Sequence, residues 1–135
     1  MRNLAAVVVL VLAIGGPARA EDPQAAIRDV ISDQIAAFEH DDFATAFTYA
    51  SPMIRQLFGS PDRFGAMVRQ GYPMVWRPGE VRFAALDQRD GRTLQRVMVT
   101  DEAGVLHVLE YEMVTVDGAW RIDGVRLLEE GSVGA

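Results

Sequence analysis

The sequence predicts an α+β fold, with N-terminal helices packed on one face of a curved four-stranded antiparallel meander. Three observations carry that expectation. Residues 24–70 place apolar side chains at helical spacing. Residues 79–128 alternate apolar and polar side chains between turn signals at Asp90-Gly91, Glu102-Ala103-Gly104 and Asp117-Gly118. The two kinds of segment do not interleave, so helices should cover one sheet face instead of crossing between parallel strands.

Each element has its own signature. A first helix is expected from about Pro23 to His40, with Ala26, Ile27, Val30, Ile31, Ile35 and Phe38 along one side. Arg28, Asp29, Asp33 and Glu39 populate the other side. Asp41 and Asp42 are candidate N-caps for a second helix carrying Phe43, Ala46, Phe47 and Ala50. Ser51-Pro52 interrupts it, because proline disfavours helix at the residue before it. A short helical turn with Ile54, Leu57 and Phe58 follows and stops at Gly59. Ser60-Pro61 restarts a helix as N-cap and first residue, with Phe64, Met67 and Val68 as its apolar face and Gly71 as its end. Two prolines bracket Tyr72–Pro78, which reads as extended chain, a short edge strand. Strands are then expected over about 80–88, 92–101, 105–116 and 119–128.

Composition narrows the classes of function. Within the 135 residues, Arg2, the apolar run Leu4 to Ile14 and the ending Ala18-Arg19-Ala20 form a secretory signal peptide over residues 1–20. That run is shorter than the roughly 20 residues a membrane span needs. Residues 21–135 then form a single domain, secreted and expected in the periplasm. No cysteine is present, so neither a disulfide nor a lipid-modified N-terminal cysteine enters. All thirteen basic residues are arginine, against nineteen acidic ones, for a net charge of −6. An acidic chain without a basic cluster is a poor partner for nucleic acid or for an anionic membrane. Histidine and cysteine are too sparse for metal-ligand spacing, so neither a metal nor another cofactor is expected. A Gly-x-Ser-x-Gly elbow and a phosphate-binding glycine loop are both missing from the sequence.

Strand alternation assigns faces. Val81, Phe83, Val97, Val99, Leu109, Met113, Trp120 and Ile122 should face the helices, and the same parity brings Gln95, His107 and Tyr111 inside. The opposite face collects Arg82, Arg96, Glu110, Glu112, Arg121 and Asp123, with Arg96 and Glu110 as a cross-strand pair. It also collects Leu94, Met98, Leu106, Val108, Val125 and Leu127. A homodimer through Leu94, Met98, Val108, Val125 and Leu127 would cover that apolar surface.

Several stretches are family-like. Asp42-Phe43-Ala44-Thr45-Ala46-Phe47-Thr48-Tyr49-Ala50-Ser51-Pro52, Phe58-Gly59, Phe64-Gly65-Ala66-Met67-Val68, Gly71-Tyr72-Pro73 and Trp120-Arg121-Ile122 resemble a bacterial family known only as domain of unknown function 4864. The helix-then-meander order resembles, more widely, the nuclear-transport-factor-two-like superfamily. That resemblance implies a cone-shaped cup, frequent dimers and a cavity between helices and sheet. Its members include isomerases and dehydratases as well as pure binding modules, so fold alone does not transfer activity. The isomerases use a buried carboxylate base, and no Asp or Glu falls on the inner face drawn above; no catalytic residue is therefore assigned.

The candidate pocket residues are Tyr49, Tyr72, Trp76, Gln95, His107 and Tyr111. The tyrosines and Trp76 combine an apolar ring with a polar tip, and the plainer reading is core packing. His107 could shuttle a proton inside the cup, yet no partner carboxylate is evident, and the plainer reading is a hydrogen-bonded histidine near a strand end. The expected function is non-catalytic: binding of a small apolar or amphipathic molecule, or a dimeric interaction module. The alternatives are an isomerase- or dehydratase-like enzyme with an acid–base group in the cup, and a partner domain for another envelope protein.

Overall fold

The computed structural model describes residues 22–128. The signal peptide expected over residues 1–20 lies outside them. Five helices precede four strands: α1 (Pro23–Glu39), α2 (Phe43–Thr48), α3 (Pro52–Phe58), α4 (Pro61–Gly71), α5 (Pro73–Trp76), β1 (Pro78–Arg89), β2 (Arg92–Asp101), β3 (Leu106–Val116) and β4 (Ala119–Leu128). The strands form one antiparallel sheet in the order β1-β2-β3-β4.

The helix starts follow local chemistry. Asp42 Oδ1 accepts from Thr45 N at 3.1 Å, Ser51 Oγ from Ile54 N at 3.3 Å, and Ser60 Oγ from Arg63 N at 3.3 Å. Proline occupies the first turn of α1, α3, α4 and α5. Gly59 ends α3 with φ 79°, a left-handed value glycine adopts without strain. Helices as short as α2 and α5 are not stable alone, so packing holds them. The main packing stripe is on α1, where Ile27, Ile31, Ile35 and Phe38 are buried. Each such side chain contributes about 1.5–3 kcal/mol when fully removed from water.

One expected element differs. Tyr72–Pro78 is not an edge strand: Pro73–Trp76 forms the single turn α5, and Met74 and Val75 turn inward. Both prolines are used as helix and strand starters, which local sequence alone does not separate from an extended bracket.

Cross-strand rows define the two faces. Phe83, Val97 and Leu109 form one inner row; Leu86, Gln95, Tyr111 and Val125 form the next; Thr93, Met113 and Ile122 form a third. Trp120 pairs with Thr115 and packs partly buried against the core. A bulge in β4 separates the pairs Glu112–Gly124 and Met113–Ile122, leaving Asp123 without a partner in the ladder. Beyond it the side chains change faces. Val125 and Leu127, expected on the outer face, therefore lie on the helix side; Val125 packs on the core and Leu127 stands exposed past the helices. Asp123 also leaves the outer charge set and accepts a 2.7 Å hydrogen bond from Ser51 Oγ. The segment Tyr49–Ser51 lies along β4, with Ser51 N donating to Ile122 O at 2.8 Å and Ile122 N to Tyr49 O at 2.9 Å.

On the outer face, Glu110 is only 5 % exposed. Its carboxylate meets Arg89 Nη2 at 2.7 Å and Arg126 Nη2 at 2.7 Å, with Arg96 Nη2 farther away at 4.0 Å. The expected Arg96–Glu110 pair is thus in register but is the weakest of the three contacts. Leu94 lies buried beside this network, so its apolar surface is already covered within one copy.

Candidate functional site: an apolar cavity between helices and sheet

A half-open cavity of about 200 Å³ lies between the helices and the inner rows of the sheet. α1 supplies Gln34 and Phe38, and α3 supplies Ile54, Leu57 and Phe58. Phe64, Met67 and Val68 come from α4, with Tyr72 just after it and Val75 from α5. The sheet side is Tyr111 on β3 and Ile122, Gly124 and Val125 on β4. Phe64 anchors the wall, its ring 5.4–5.8 Å from those of Phe38, Phe47 and Phe58. α3 has no buried residue, and Leu57 is 71 % exposed at the mouth.

No charged side chain lines the cavity among the described residues. Its polar groups are two phenols and one amide. The Tyr72 hydroxyl donates to Val125 O at 3.0 Å, and Gln34 Nε2 donates to Ala46 O at 3.2 Å. Burial, and secondarily the neighbouring Tyr72, hold the Tyr111 phenol above the ordinary tyrosine range. The phenol therefore stays protonated at any physiological pH. These groups can orient a ligand by hydrogen bonds.

The six candidate residues divide. Tyr72 and Tyr111 line the cavity, and the other four lie elsewhere. Tyr49 is half-buried and spends its carbonyl on Ile122. Gln95 is fully buried in the same row as Tyr111, but its Nε2 donates to Ala84 O at 3.0 Å and Arg96 O at 2.9 Å, beside the bulge in β1. The Trp76 indole donates to Asp41 at 2.8 Å, and the Arg77 guanidinium stacks on its ring at 4.3 Å. His107 sits in a separate groove with Pro73, Met74, Trp76 and Arg77. It does have a carboxylate partner: its Nε2 is 2.8 Å from Asp101 Oδ2. The β2–β3 turn folds Asp101 back over His107, six residues later. Asp101 Oδ1 also accepts from Ala103 N and Val105 N, both at 2.9 Å. The His107 ring bond and then the Val105 N–H hold the Asp101 carboxyl below its usual range.

Sequence reasoning missed Gln34, Val125 and the α3 side of the cavity. Gln34 had a signal, since it interrupts the apolar stripe of Ile27, Ile31, Ile35 and Phe38. Val125 had one too: the apolar parity slips from Trp120 and Ile122 to Val125 and Leu127 across Asp123-Gly124, where the bulge sits. Among the described residues no group of three or more His, Cys, Asp or Glu could hold a metal ion, and no helix is long and apolar enough to cross a membrane.

Fold and cavity together define a small α+β domain with a half-open, uncharged site. The chain belongs to the family described as Domain of unknown function (DUF4864), whose model matches residues 20–135. The solution structure of RPA3114, a SEC-C motif containing protein from Rhodopseudomonas palustris, is similar in fold, with a TM-score of 0.54 and 18 % identity over 79 % of each chain. At that identity the likeness concerns fold alone. No curated protein matches the chain at a significant level.

Proposed function

We propose that this protein is a non-catalytic binding module that holds a small apolar or amphipathic molecule between its helices and its sheet. The observation that carries the reading is the cavity of about 200 Å³ with no charged side chain in its wall. An apolar cavity of roughly 150 Å³ is enough for benzene, so the occupant is of single-ring size. The isomerase-like alternative needs a carboxylate or histidine in the cup, and His107 lies outside it. The cone-shaped, nuclear-transport-factor-two-like placement and export to the periplasm belong to the same proposal. Intact-mass analysis of exported protein tests the latter: cleavage after Ala20 is expected, and an N-terminus at Met1 would refute it.

Toluene titration followed by methyl NMR tests the binding. The methyl resonances of Ile54, Val68 and Val75 should move together and saturate. If they stay fixed while the protein is folded, the cavity takes no ligand and the reading fails. Native mass spectrometry of protein purified from its own envelope would show the natural occupant.

A homodimer through the outer sheet face is a second reading, favoured by Leu106 at 39 % exposure and by half-buried Met98 and Val108. Val108→Glu should convert a dimer to a monomer in light scattering at micromolar concentration. A wild type that is monomeric throughout removes this reading. A partner domain for another envelope protein would use the same face.

A further inference from the structure

The cavity has three polar side chains, and two of them already use a donor: the Tyr72 hydroxyl on Val125 O and Gln34 Nε2 on Ala46 O. The third is Tyr111, at 1 % exposure, whose hydroxyl makes no hydrogen bond among the described residues. The ring is fixed in the middle of the sheet by its neighbours Gln95 and Val125 in one cross-strand row. The hydroxyl is not sealed away from the half-open cavity, so its partner is water or whatever displaces that water. An unpaired donor at the wall of a cavity is therefore complementary to an acceptor on whatever fills it.

We propose that the occupant is an uncharged molecule of roughly eight non-hydrogen atoms, apolar apart from one hydrogen-bond-accepting oxygen, and that the Tyr111 hydroxyl is the donor that recognises this oxygen. The inference rests on the binding reading above and adds the ligand's chemistry to it. A carboxylate or ammonium would lose its hydration with no counter-charge in the wall. Because burial keeps the phenol protonated, Tyr111 can donate across the physiological range. Its acceptor partner is then a carbonyl, ether or hydroxyl oxygen.

Benzaldehyde, toluene and benzoate are the probes, titrated into the wild type and Tyr111→Phe by calorimetry. The three differ in one substituent, and the chain has no lysine to react with the aldehyde. Benzaldehyde should bind the wild type roughly five- to a hundredfold more tightly than toluene, because toluene leaves the donor unpaired. Benzoate should not bind measurably. Tyr111→Phe should bring benzaldehyde and toluene to within about twofold of each other. Equal affinities in the wild type, or a preference that survives Tyr111→Phe, would overturn the recognition role while leaving the cavity reading intact. Benzoate binding as tightly as benzaldehyde would overturn the requirement for a neutral ligand. If none of the three binds, the cavity reading itself fails, and this inference with it. Should Tyr111→Phe not fold, equal affinities for benzaldehyde and toluene on the wild type still overturn the recognition role.

Discussion

Gly65→Ala sets two known effects against each other at one position. Gly65 lies in the middle of α4, buried against α2. Alanine in a helix interior gains about 1 kcal/mol over glycine from propensity alone. A Cβ built at Gly65, however, would stand 2.7 Å from both Cδ1 and Cγ of Phe43. Those atoms are at the root of the ring, so the whole side chain must move. It is held there by Phe38, 6.1 Å away between ring centroids, and by the Arg69 guanidinium 5.2 Å above it. Overpacking of this kind costs about 1–3 kcal/mol. The steric effect should win, leaving Gly65→Ala less stable by about 1 kcal/mol, a fall of roughly 4 °C in Tm for a domain of this size. In a Phe43→Ala background the clash is gone, and the same change should stabilise by about 1 kcal/mol. Urea unfolding of the four proteins gives the cycle, with a coupling of about 2 kcal/mol between neighbours expected. If Gly65→Ala stabilises the wild type, or has the same effect in both backgrounds, the close α2–α4 contact is not as described.

Three further outcomes follow from the charged groups. Asp101 titrates lower in the folded chain than in the unfolded one, so its contribution is fully present above the unfolded value of about 3.9 and is lost as pH falls through the folded value. His107→Leu removes the largest cause, so the Asp101 midpoint in a carboxyl-carbon NMR titration should rise; an unmoved midpoint would mean the ring bond does not form in solution. Glu110→Gln should destabilise by about 1–2 kcal/mol, less than the 3–5 kcal/mol of a wholly buried pair, because Arg89 and Arg126 are half-exposed and rehydrate. Arg96→Ala should lie within about 0.5 kcal/mol of wild type in the same urea assay, and a larger effect than Glu110→Gln would reverse the ranking of contacts.

Where local chemistry decides, the sequence was legible. Asp42 and Ser60 cap helices as expected, Ser51, read only as an interruption, caps α3, and the hairpin turns at Asp90-Gly91 and Asp117-Gly118 carry the positive φ values that such dipeptides favour. Alternation placed Tyr111, Val97 and Leu109 inward correctly. It failed past Asp123, because one parity was carried through Asp123-Gly124, where the apolar positions shift by one residue and the bulge turns Val125 and Leu127 to the helix side. The site was legible to the extent that it depends on strand parity: Tyr111 follows from it. Tyr72 enters through its ring and hydroxyl at the end of α4. Trp76 and His107 were both candidates, but Trp76 on α5 bonds Asp41 and His107 on β3 bonds Asp101 across the β2–β3 turn, both away from the cavity. The roof formed by α3 was not legible, since Ile54 and Leu57 carry no sign of what lies beneath them.

The chain segment along β4 limits how this molecule can associate. Tyr49 and Ser51 occupy the backbone of Ile122, and the Tyr72 hydroxyl occupies the carbonyl of Val125. β4 is thereby capped at its middle, and among the described residues β1 is the edge left open. A sheet with two open edges can add copy after copy and grow into a ribbon. With one, edge-to-edge joining is complete as soon as two β1 strands meet about a two-fold axis. The architecture is thus a chain terminator for its own sheet: whatever pairs along β1 ends growth there.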